Sequence, residues 1–166
     1  EEVLIPQGFT KIDRDISTTA VIGTLLEGGE FDRVRFKFGL PDSLLTVNPD
    51  IAPDNSVFDA VGDTIIYQDT IDIGFLSAAI AFNRDTMMMT DSTVVDIKSQ
   101  SADIELPFET TFFLNQGFDL TVTIQVDYLS WFEGVDVPNH DPDDLSSLRL
   151  QFLQNIPESF SVFDIQ

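Results

Sequence analysis

The chain has 166 residues, a formal net charge of -21, no cysteine, and a hydrophobic content of 43% that includes 15 Phe. That acidity excludes the basic footprint that nucleic acid and anionic membrane surfaces require, and the lack of cysteine excludes a disulfide-stapled core. No apolar run approaches the ~18 residues of a membrane-spanning helix, and the length predicts one domain over residues 1–166.

The acid is 21 Asp against 8 Glu. Asp favours turns and caps over helix or strand interiors, so this bias predicts a loop-rich β protein. Along the chain, a short apolar run at Val3–Ile5 is closed by Pro6 and Gly8, and Thr19–Leu26 is rich in β-branched residues. Gly28-Gly29 then leads into Asp32–Phe38. There Val34, Phe36 and Phe38 share one face and Arg33, Arg35 and Lys37 the other, the period of a half-buried strand. Gly39-Leu40-Pro41 ends it. Residues 42–63 are rich in Pro, Asp and Asn and read as a long loop.

Further strands are expected at Thr64–Tyr67, Phe75–Phe82, Thr93–Lys98, Asp103–Phe108 and Thr110–Leu114. Asn115-Gln116-Gly117 reads as a hairpin turn into Phe118–Asp127, where Leu120, Val122, Ile124 and Val126 alternate with polar residues. One helix is expected from Pro142 to Asn155. Asp141 would cap it, Asp143 and Asp144 would sit at its positive end, and Leu145, Leu148, Phe152 and Ile156 would line its apolar face. The pattern predicts an all-β chain: an antiparallel, Ig-like β-sandwich with one short C-terminal helix.

Two segments carry a resemblance. Gly29-x-Phe-Asp-Arg-Val-Arg-Phe-x-Phe-Gly-Leu-Pro41 resembles the G-x-Y-x-x-I-x-F-x-I-G-V-P segment of the MbnP-like family of secreted, often lipid-anchored bacterial proteins. Leu120-x-Val-x-Ile-x-Val-Asp-Tyr-Leu-x-x-Phe-x-Gly-Val135, then His140, Asn155-Ile156 and Phe160, follows that family's ending in order and spacing. The resemblance implies an extracytoplasmic setting, in the periplasm or on the bacterial cell surface. It also implies extra N-terminal strands with no counterpart before residue 30, so the expectation is either a truncated sandwich or one whose edge another polypeptide fills. A protein partner would cover an open sheet edge near residues 3–26, and an upstream lipid anchor would precede Glu1.

The family's copper chemistry is attributed to Met, His and an oxidisable Trp. Here Asp63 to Asp72 holds neither Trp nor Met, Trp131 lies in another segment, and His140 is the only His. One imidazole does not make a copper site. The candidate metal residues are therefore His140, Asp141, Asp143 and Asp136. Ca²⁺ would use their hard oxygens, copper would follow from the resemblance, and a loop His beside a capped helix needs no metal at all.

Other clusters have ordinary readings too. Asp50, Asp54, Asp59 and Asp63 could hold Ca²⁺ or simply solvate the loop. Met87-Met88-Met89 could offer soft ligands, though adjacent residues on a strand cannot all face one ion. Arg33, Arg35 and Lys37 could hold an anion or pair with acids across the sheet. No nucleophile–base pair, phosphate loop or zinc spacing is present, so the reading is non-catalytic. The expected role is an accessory or structural binding subunit of a cell-surface or outer-membrane assembly. The alternative is a copper-binding protein acting with a haem oxidase partner.

Overall fold

The computed structural model describes residues 12, 14, 15, 17, 28–40, 66–68, 73–83, 92–98, 102–115, 117, 120–141 and 144–166. Strand dominates among them, with a single α-helix, so the chain is all-β in class. The strands are β1 (Gly29–Phe38), β2 (Ile66–Gln68), β3 (Ile73–Phe75), β4 (Ala78–Asn83), β5 (Ser92–Ile97), β6 (Ala102–Leu114), β7 (Val122–Val126) and β8 (Phe160–Ile165). The helix α1 spans Ser146–Asn155, and 3-10 turns cover Ser130–Phe132 and Ile156–Ser159. No helix among the described residues is long and apolar enough to cross a membrane. Of the expected partner edge near residues 3–26, only residues 12, 14, 15 and 17 are described, and the 42–63 loop and the three Met lie outside the described residues.

Four antiparallel ladders form, β1 with β6, β2 with β3, β4 with β5 and β7 with β8. The period-2 reading of β1 and β7 holds, but Val34, Phe36, Phe38, Leu120, Val122, Ile124 and Val126 are half-buried rather than buried. The fully buried side chains come from elsewhere, namely Val95 and Ile97 on β5, Phe152 on α1 and Ile156 just after it. Ile80, Ile104, Leu106, Trp131, Leu148 and Phe160 complete the core, and β1 and β7 pack against its rim.

Several element boundaries differ from the sequence expectation. The segment expected at Phe75–Phe82 is two strands, β3 and β4, and the Phe118–Asp127 strand is shorter. The two segments expected at Asp103–Phe108 and Thr110–Leu114 are one strand, β6. Its partnership with β1 slips between Phe31↔Phe112 and Arg33↔Pro107. Pro107 has no N–H for the ladder, and such residues sit at bulges. The Asn115–Gly117 segment does not close a hairpin, because β6 pairs with β1 and β7 with β8. Gly117 does take a positive φ of 86°, as does Gly39 (90°) just after β1, a conformation that suits glycine.

The helix begins four residues later than expected, and Asp141 does not cap it. The N-cap position falls on Leu145, whose side chain makes no capping bond, and the Asp144 carboxylate just before it accepts the Ser146 N–H at 3.0 Å. Hydrogen bonds from the Ser146 hydroxyl and backbone N–H hold the Asp144 carboxyl below its ordinary value of 3.8. Leu148 and Phe152 are buried as the spacing predicts. Arg149 Nε donates to the Asp96 carbonyl at 2.8 Å, tying α1 to β5.

On the outer face of the β1–β6 ladder, Glu105 bridges Arg33 and Arg35, the latter at 2.7 Å, and Lys37 lies 3.3 Å from Asp103. The basic row thus meets cross-strand acids. Hydrogen bonds from Arg33, and then from Arg35, hold the Glu105 carboxyl below its ordinary value of 4.5. A carboxyl depressed by folding stabilises the fold above its unfolded pKa, and that contribution disappears as the pH falls through the folded value. Glu105→Gln should therefore be slightly less stable than the parent at neutral pH. In urea unfolding followed across pH, the difference should close below the ordinary value of 4.5, and added salt should shrink it.

Candidate functional site

The region around Trp131 and His140 is built by a chain reversal between β7 and α1. The Asp127 carboxylate accepts the Leu129 N–H at 2.9 Å, and the Ser130 hydroxyl donates to the Asp127 carbonyl at 2.7 Å. These two local bonds start the 3-10 turn, as Asx and Ser motifs do. Leu129 projects into solvent, 84% exposed, while Trp131 turns inward. Gly134, at φ 69°, then redirects the chain toward α1.

Trp131 is held at both ends. Its Nε1–H donates to the Ser159 hydroxyl at 2.7 Å, and that hydroxyl donates to the Ile156 carbonyl at 2.6 Å. Both Trp131 and Ser159 are buried, so this relay satisfies polar groups that have no water to turn to. The indole packs edge-on against Phe38 and Tyr128, with ring centroids 6.1 and 4.9 Å away. The Asn155 amide donates to the Trp131 and Glu133 carbonyls, each at 2.8 Å, and clips the turn to the end of α1.

His140 is 8% exposed. Its Nδ1 lies 2.5 Å from the Val137 carbonyl. A carbonyl only accepts, so Nδ1 carries the proton in this bond. The ring packs against Phe82 at 5.8 Å. Nε2 is shielded from water and has no hydrogen-bond partner.

Of the other predicted metal residues, Asp136 and Asp141 are described, and they form no metal-ligand cluster with His140. Asp136 is exposed and accepts both Asn139 Nδ2 bonds, at 3.1 and 3.2 Å. Asp141 is exposed, and its carbonyl accepts the Asp144 N–H at 3.3 Å. Asp143 lies outside the described residues. Among the described residues, no three His, Asp or Glu side chains converge as metal ligands would. What the structure does bring together is a cleft of about 310 Å³, whose walls include Val135, Asp136, His140, Asp141, Leu148 and Gln151.

The Trp131–Ser159–Ile156 relay and the Asn155 clip were not visible in the sequence. Ser159 and Asn155 are ordinary polar residues there, and their burial depends on how α1 docks. Comparison of the chain with protein-family models, with curated proteins and with solved structures finds no match.

Ser159→Ala should leave the buried indole N–H without an acceptor and destabilise the protein by about 1–3 kcal/mol. Denaturant unfolding followed by the fluorescence of Trp131, the sole Trp, measures this.

Proposed function

We propose that the chain is a non-catalytic, extracytoplasmic binding domain, an accessory or structural subunit of a cell-surface or outer-membrane assembly. In this reading the ladders are the halves of an antiparallel, Ig-like β-sandwich of MbnP-like type, resting on the sequence resemblance. One observation carries the functional reading. His140, the one residue that the resemblance places at a position of functional weight, and Trp131, the sole Trp, are both engaged in holding the fold. Trp131 is bonded to Ser159, and His140 to Val137. A buried, hydrogen-bonded indole and an imidazole tied to its own turn are packing elements here.

A second reading, a copper-binding protein acting with a haem oxidase partner, draws on one feature. His140 donates Nδ1–H to a backbone carbonyl and leaves Nε2 as a lone pair, which is how metal-ligating imidazoles are oriented. Against it stands the lack of converging ligands among the described residues.

Copper titration with metal analysis separates the two. Under the accessory reading, Cu(II) binds only as weakly as to surface carboxylates, and His140→Ala does not change its uptake. A stoichiometric, submicromolar copper site lost in His140→Ala would overturn the accessory reading in favour of the second.

A further inference from the structure

We draw no further inference here: the strongest candidate, the half-buried aromatic cluster of Phe31, Phe108 and Phe112 where the register of the β1–β6 ladder slips, is an apolar face with nothing in the structure to show what covers it.

Discussion

The burial of Phe152 is the contact on which the rest of this structure depends. Each described ladder has only two strands, and a two-stranded unit is marginal in water unless its apolar face is covered. Phe152 is fully buried and supplies part of that cover. It packs against Phe82 of β4 at 6.0 Å and edge-on against Phe132 of the 3-10 turn at 5.2 Å. The neighbouring residue of the turn, Trp131, reaches Phe38 of β1, and Phe160 at the start of β8 packs edge-on against Phe36 at 5.4 Å. Edge-to-face aromatic pairs contribute beyond the area they bury. The ladders β1–β6, β4–β5 and β7–β8 thus share one core with α1 and its flanking turns.

That dependence explains which parts of the fold could be read in advance. Alternation in β1 and β7 is local, and it predicted which face turns inward. It did not predict depth, because Val34 and Ile124 lie at the rim of a core centred on α1 and β5. The spacing of Leu148, Phe152 and Ile156 marked the buried face of the helix. Its start was misplaced because Asp141-Pro142 looks like a cap and a first turn, while Asp144 is the residue that bonds Ser146. Strand β8 gave no clear signal, since its register slips between Asp164 and Val162 against Thr123 and Ile124. Phe163 becomes an extra residue, 72% exposed, and the apolar period is broken at that bulge.

The candidate site follows the same division. A lone His in a run of Asp was conspicuous in the sequence, but its meaning lies in the bond from Nδ1 to Val137, which depends on the turn. The acidic residues around it were visible as charge, not as the wall of a cleft. Trp131 illustrates the point from the other side. Its sequence neighbours Leu129 and Phe132 are both apolar, yet Leu129 points to solvent and the indole N–H is satisfied by a serine 28 residues away. In the accessory-binding account, the imidazole and indole serve the architecture.

Amide hydrogen exchange on the parent protein and on Phe152→Ala tests the central claim most directly. Truncating a fully buried Phe costs about 3–5 kcal/mol, equivalent to a fall in protection of roughly a hundredfold or more. If α1 holds the ladders together, the protected amides of β1–β6, β4–β5 and β7–β8 should lose protection together and by similar factors. Loss confined to α1 and the 3-10 turns, with the three ladders unchanged, would contradict the account.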